Sequence, residues 1–325
     1  MIAKVLATAR GGPIDAGALE RERAHLWQLC YRMTGSAGDA EDLVQETFVR
    51  ALESPPRDLN ALLRPWLVRV ALNLARDQLR RRKRRAYHGV WLPTPIETSI
   101  HDTQAEYASS APSPEARYSL MESASFAFLI ALEALTPSQR AVVILRDTFD
   151  YSAAEAAQAL NLSETNVRVT LHRARQRMQA YDENRPAFSS EALEAAATML
   201  QRFLALIAVQ DIAGATSLLS DDARSLNDGG GVQFTARAPL HGPARIAKFF
   251  AKLATKASPE LAVELRTVNG GAAVVAHDPK PHKPAAPRVV ILADMGADGR
   301  IRTLYAVVAP DKLRAMTFPQ ARNAT

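Results

Sequence analysis

Nine basic side chains and one acid, Asp77, stand between Arg64 and Arg85. Arg80, Arg81, Arg82, Lys83, Arg84 and Arg85 are consecutive, so on a helix they cannot share one face and must ring its end as a collar. Such a collar repels itself unless a polyanion is near, and phosphate groups are the natural counter-charge. Upstream, Trp66, Val70, Asn73 and Leu74 recur on adjacent turns. An aromatic ring and an amide beside cations such as Arg76 suit stacking and edge reading of unpaired bases. The plainer alternative is a solvated basic helix end with Trp66 in the core.

A second cationic constellation runs from Tyr151 to Arg175. Ser152 with Glu155 forms a capping box, Ala156 and Ala157 leave room for a close crossing, and Asn161 suits a left-handed turn. Ser163 caps the next helix, whose Val167 and Leu171 face inwards. Arg168, Thr170, His172, Arg173, Arg175 and Arg177 stay outside. An arginine-rich second helix after such a turn fits the major groove, with guanidinium groups on guanine edges and phosphates. A purely structural helical hairpin is the competing reading.

Between these stands an acidic stripe: Asp39, Asp42 and Glu46 lie at i, i+3 and i+7, with Leu43, Phe48 and Leu52 turned to the core. Acids beside a DNA-binding helix repel phosphate, so the stripe suggests a basic protein partner, against an ordinary solvated face. Further on, His241 or His277 with Asp228 or Asp294 supply the only ingredients for an acid–base dyad that we single out. Gly229, Gly230 and Gly231 after Asp228 more readily make a tight turn, and no catalytic residue, cofactor or metal is assigned.

The elements that must position these groups follow from caps and breakers. Helices are expected over about 18–33, 38–53 and from Pro65 to about Arg85, with proline in a first turn. Residues 87–118, with Trp91-Leu92-Pro93-Thr94-Pro95, read as a linker, and 119–181 as helical again, with Thr136 capping a helix that starts at Pro137. From 191 the pattern changes to two helical stretches (192–210 and 211–219), then strands at 224–227, 232–237, 260–268, 272–277, 288–294 and 300–308, with a helix at 243–253. That implies domains at 18–86, 119–181 and 191–318: all-α modules followed by an α+β domain. The 325 residues, 47 % hydrophobic, suffice for this, and the net charge of +6 is modest but locally concentrated. Cys30 is the only cysteine, which fits a reducing cytosol. With no signal peptide and no apolar run of membrane length, a cytoplasmic protein that makes no membrane contact is expected.

Gly38–Phe48, Trp66–Asp77, and Leu135–Arg140 with the helix-turn-helix to Arg175 resemble, in that order, regions 2.2, 2.3–2.4 and 4 of extracytoplasmic-function (ECF) sigma factors. The resemblance implies that the chain guides RNA polymerase core to promoters. Asp39, Asp42, Gln45 and Glu46 would meet the β′ clamp helices, and the second module the β flap. Trp66, Asn73 and Arg76 would take minus-ten bases, and Arg80, Arg81, Arg82, Lys83 and Arg84 nearby phosphates. Arg168, Thr170, His172, Arg173 and Arg175 would take the minus-thirty-five element. Thr170 stands where many relatives carry Arg or Ser, which leaves the preferred sequence open. The last domain is similar to the SnoaL-like extension of one branch, a cone-shaped barrel. That branch has matching stretches at Trp91–Pro95 (Trp91, Leu92, Pro93), Asp228–Gly231 and Pro310–Leu313 (Asp311, Lys312), although Val232 replaces a common Lys or Arg. In relatives the extension tunes activity in place of a separate anti-sigma protein. The alternative is a SnoaL-like enzyme or sensor of an unknown small ligand, fused to a DNA-binding regulator.

Overall fold

The computed structural model describes residues 14–55, 59–84, 87, 89–98, 123–183 and 189–320, with the helical backbone alone at 59–62 and 83–84. The chain divides into two compact units, residues 1–86 with 131–180, and residues 87–130 with 181–325. Among the described residues no helix is long and apolar enough to cross a membrane.

The first unit is helical. Helix α1 (Ala16–Thr34) starts at Asp15, whose carboxylate accepts from Gly17 N, and stops at Gly35 in the left-handed region at φ 66°. Helix α2 (Ala37–Glu53) is capped by Ser36, whose Oγ accepts from Asp39 N at 3.2 Å. Helix α3 spans Leu59–Arg84. Its start corrects the expectation of a helix opening at Pro65: the proline lies inside it. Residues 59–63 are mostly strong helix formers, which favours helix on the N-terminal side of the proline despite the one backbone bond it removes. Leu67, Ala71, Leu72, Ala75 and Leu79 are buried along one face of α3, each larger side chain contributing roughly 1.5–3 kcal/mol. Cys30 is wholly buried, and burial pushes its thiol up to about 12.

The short helix α4 (Phe126–Ala131) and a 3₁₀ turn (Leu132–Ala134) lead to α5 (Pro137–Val143). There Thr136 and Gln139 form a capping box, with proline at the first position. Helices α6 (Ala153–Leu160) and α7 (Glu164–Asp182) follow. Helices α5 and α6 pack on α3, and α5 also touches α1, so the two sequence stretches expected as separate modules share one body.

The second unit holds α8 (Ser190–Ala208), α9 (Ile212–Ser217), α10 (Pro243–Ala254) and six strands: β1 (Leu219–Asp228), β2 (Leu240–His241), β3 (Ala262–Val268), β4 (Gly271–His277), β5 (Arg288–Met295) and β6 (Ile301–Val307). They form one sheet in the order β2-β1-β6-β5-β4-β3. Only β1 and β6 run parallel. On one face Phe203, Ile207, Ile246 and Phe250 of the helices meet Val274, Ile291 and Leu304. On the other, Leu292, Tyr305 and Val307 are covered by Leu92, Phe126, Leu313 and Met316.

One expected strand is absent here, and another is longer than expected. The apolar alternation over 232–237 is not a strand: Val232 N and Gln233 N both bond Gly229 O, closing a turn, and Val232 and Phe234 stay exposed. The antiparallel partner of β1 is instead the two-residue β2, with Arg224 opposite His241. Strand β1 itself begins at Leu219, within a stretch expected to be helical, because α9 stops at Ser217.

Candidate functional site

The acidic face of α2 is built as its spacing requires. Asp42 and Glu46 are exposed, while Asp39 and Gln45 are half-buried. Burial raises the Asp39 pKa, and nearby Arg82 opposes that shift. Gln45 Nε2 donates to Glu41 Oε1 at 3.1 Å, so its amide is engaged along its own helix. Asp42, Glu46 and Asp77 border a groove of about 360 Å³ between α2 and α3, with Leu43 and Leu74 in its lining and Arg50 and Arg81 beside them.

On α3, Asn73, Arg80 and Arg81 are exposed and Trp66 is half-buried. Arg80 pairs with Asp77 at 2.8 Å. Two of the proposed DNA-contacting cations are turned inward. Arg76 donates to Ser138 Oγ at 3.0 Å, its Nε is buried without a partner, and burial lowers its pKa. Arg82 donates to Thr34 O at 2.7 Å and to Glu133 Oε1 at 2.6 Å. The side chains of Lys83 and Arg84, and all of Arg85, lie outside the described residues.

Sequence reasoning passed over Arg140. It is 3 % exposed and donates to Met33 O and Leu132 O, both at 2.8 Å, and to Glu133 Oε1 at 2.9 Å. One guanidinium thus ties α5 to the end of α1. The only signal for it was a cation one turn into an otherwise apolar helix (Ala141, Val142, Val143), where burial demands partners.

The helix-turn-helix follows its caps closely. Ser152 N donates to Glu155 Oε2 at 2.7 Å, and Glu155 N to Ser152 Oγ at 3.1 Å. Asn161 sits at φ 54°, ψ 52°, the left-handed conformation a short side chain tolerates. Ser163 Oγ accepts from Asn166 N at 3.2 Å. Val167, Leu171, Ala174 and Met178 are buried. Arg168, His172, Arg173 and Arg175 are exposed and Thr170 half-buried. Arg168 pairs with Glu164 at 2.9 Å and Arg175 with Asp147 at 2.6 Å.

In the second unit Asp228 organises a buried cluster. Its carboxylate accepts from Tyr87 Oη at 2.6 Å, Leu92 N at 2.8 Å, Gly230 N at 2.9 Å and Lys312 Nζ at 2.6 Å. Lys312 Nζ also donates to Leu92 O and lies 4.6 Å from the Trp91 ring centroid and 4.9 Å from that of Tyr87. Leu92 is fully buried, and Pro93, Thr94 and Pro95 are buried behind it. The glycines have steric reasons. A Cβ on Gly229 would stand 2.3 Å from Gln233 O, and Gly230 and Gly231 have φ of 63° and 74°. Asp311 departs from expectation: it is exposed and pairs with Arg314, because the turn that brings Lys312 inward sends its neighbour out. Asn269 was missed. Its Oδ1 accepts from Ile96 N at 2.9 Å and its Nδ2 donates to Ala124 O at 2.7 Å, clasping chain on both sides of residues 99–122.

The four groups weighed for acid–base chemistry are otherwise engaged or apart. Asp228 serves the cluster above, and His277 Nδ1 lies 3.2 Å from Pro319 O. Asp294 accepts from Tyr305 Oη at 2.5 Å. His241 is exposed on β2.

The family model for Sigma-70 region 2 matches residues 18–85, and that for Sigma-70, region 4 matches 126–178. The ECF RNA polymerase sigma factor SigJ of Mycobacterium tuberculosis (strain ATCC 25618 / H37Rv) is 32 % identical over 317 residues, 95 % of this chain and 96 % of that protein. The crystal structure of SigJ matches with TM-score 0.67 and 28 % identity, covering 91 % of this chain and 96 % of that one. The ECF RNA polymerase sigma factor SigW of Bacillus subtilis (strain 168) is 27 % identical over 187 residues, 95 % of its own length but 55 % of this chain.

Proposed function

Since this chain belongs to the ECF RNA polymerase sigma factors, with a SnoaL-like domain at its C-terminal end, we propose that this last domain governs promoter output in place of a separate anti-sigma protein. The observation that carries the reading is the Asp228–Lys312 cluster. Tyr87 and Trp91–Ile96, which directly follow the region 2 stretch in the chain, and Ala124–Phe126, which precede region 4, are both built into the C-terminal domain. A domain that holds both ends of the connection sets how far the two DNA-binding stretches can separate, and promoter elements demand a fixed separation.

Sigma factors bind core RNA polymerase and promoter DNA. Within that role we assign Asp42 and Glu46, with Asp39 and Gln45 behind them, to the β′ clamp helices. The region 4 module is assigned to the β flap. Trp66 and Asn73 are assigned to unpaired minus-ten bases, with Arg76 and the cations from Arg80 to Arg84 on phosphates. Arg168, Thr170, His172, Arg173 and Arg175 are assigned to the minus-thirty-five element. The test is run-off transcription with core polymerase. Lys312→Ala, which releases Leu92 and Trp91, is expected to change output from the cognate promoter while Asp311→Ala leaves it as it was. Equal output from parent and Lys312→Ala defeats the regulatory reading, and failure of Asp42→Lys with Glu46→Lys to weaken core binding defeats the docking assignment.

A small ligand in the last domain is a second reading. It is favoured by Asn227, which is 1 % exposed and whose Oδ1 has no hydrogen-bond partner among the described residues. A thermal-shift screen of parent against Asn227→Leu tests it, a ligand being expected to raise the melting temperature of the parent alone.

A further inference from the structure

Helix α10 carries Arg245, Lys248 and Lys252 at i, i+3 and i+7, within an arc of about 60° at 3.6 residues per turn. All three are exposed. Among the described residues none of them is in ion-pair contact with a carboxylate. From Gly229 to Pro259 the chain holds five cations, Arg237, Arg245, Lys248, Lys252 and Lys256, and no acid. Acids on and beside its packing neighbours α9 and β1 are committed elsewhere. Asp211 accepts from Gly214 N at 2.8 Å, Asp221 pairs with Arg300 at 3.0 Å and Asp222 with Arg302 at 3.1 Å. The positive stripe is therefore left without a counter-charge on its own domain. Its opposite face decides the kind of partner. Ile246, Ala247, Phe250 and Ala251 are buried in the domain core, so α10 keeps no apolar face with which to enter a lipid layer. No large apolar side chain of α10 is exposed, so the stripe lacks the aromatic or aliphatic anchor on which a protein interface depends. Charge without an anchor matches a row of phosphates.

We propose that α10 is a further DNA-contacting surface of the chain, which holds the phosphate backbone of duplex promoter DNA, without regard to sequence, through Arg245, Lys248 and Lys252. At 1.5 Å per residue the stripe is about 10 Å long, and one strand presents a charge about every 3.4 Å of axis, so it spans about three phosphates. Regions 2 and 4 hold the promoter and thereby raise its concentration at a domain tethered to them. Three modest contacts then add to binding that a separate domain would not show.

The full chain reconstituted with core polymerase tests this, by fluorescence anisotropy of labelled promoter duplex across a salt series. Each cation withdrawn from a phosphate takes about 0.9 from the slope of log affinity against log salt. The triple variant Arg245→Gln, Lys248→Gln, Lys252→Gln is expected to flatten that slope by about 2.7. The loss should be the same on a duplex scrambled outside the minus-ten and minus-thirty-five elements. Melting temperature and affinity for core polymerase should not change, since all three sites are exposed. Arg314→Gln, which removes an exposed cation of the same domain already paired with Asp311, should keep the parental slope. Ala244→Cys leaves the stripe intact and places an exposed thiol beside it. Labelled there with an iron chelate that cleaves nearby DNA, the chain should cut the promoter duplex within one stretch, while buried Cys30 stays unlabelled. A triple variant with the parental slope overturns the proposal, as does a chelate at 244 that leaves the duplex whole. Weakened core binding in the triple variant would make the stripe a protein surface. Retention of the parent but not of the variant on vesicles of phosphatidylglycerol and phosphatidylcholine, with the parental DNA slope, would make it a lipid surface. Either result overturns the proposal as well.

Discussion

Lys312 and Asp228 meet at 2.6 Å with side chains 13 % and 0 % exposed, so the carboxylate depends on partners that water cannot replace. Removing one member of such a pair leaves a buried charge uncompensated and typically costs about 3–5 kcal/mol. Lys312→Met should lower the unfolding free energy of the C-terminal domain by an amount of that order, as read from urea titration followed by tryptophan fluorescence. Adding Asp228→Asn should recover part of the loss, since a neutral amide no longer needs the ammonium. Asp294 behaves differently. Burial raises its pKa from 3.8 to about 6, against the Tyr305 hydrogen bond and the charges of Arg224 and Arg302, and it raises the Tyr305 phenol well above its usual value. A folded-state pKa above the unfolded one means that the charged form disfavours folding. No penalty is present below the ordinary value; it grows as pH rises towards about 6 and is complete above that. The stability difference between Asp294→Asn and the parent should therefore grow in favour of the variant across that window, as measured by thermal unfolding in a pH series. The Asp228 and Gly229–Gly231 stretch was legible in sequence as a close backbone turn. That Asp228 would face Lys312 was not, because 84 residues and a parallel β1–β6 pairing separate the partners.

At the scale of elements, caps were the most readable signal. Thr136, Ser152 and Ser163 all accept the backbone bonds their positions implied, because a cap is a local bargain between neighbours in sequence. Pro65 and the 232–237 stretch misled for the same reason in reverse. Local preference marked a helix start and a strand, but the helix runs back to Leu59, and among the described residues no neighbouring strand meets Val232 and Phe234. The turn at Asn161 gives an element-scale prediction. Its left-handed backbone costs a side chain with a branched Cβ about 1–2 kcal/mol. Asn161→Val should thus destabilise the helix-turn-helix by roughly that much, while Asn161→Gly should leave stability within a few tenths of a kcal/mol. Hydrogen exchange of the amides of α6 and α7 reads out both.

At the scale of the molecule, the region 2 and region 4 stretches were legible separately, each through its own motifs, but their packing into one body was not. The contacts that join them include single polar residues, Arg76 on Ser138, Arg82 on Glu133 and Arg140 on Met33 O, with no periodic pattern to announce them. These contacts put Arg76 and Arg82, proposed phosphate ligands, in competition between DNA and protein. Glu133 is the hinge of that competition, since its Oε1 accepts from both Arg82 and Arg140. Glu133→Gln removes the charge that holds Arg82, while Arg140 keeps its two carbonyl partners, so the fold should survive with a small loss of stability. Each cation newly given to a phosphate steepens the dependence of log affinity on log salt by about 0.9. With Arg82 released, promoter DNA should bind more tightly at low salt, and the slope should steepen by about one such increment. Fluorescence anisotropy of labelled promoter DNA with parent and Glu133→Gln, each reconstituted with core polymerase, measures both quantities. Parallel slopes of equal height would mean that Arg82 does not trade Glu133 for a phosphate, and the competition between the two partners would have to be abandoned.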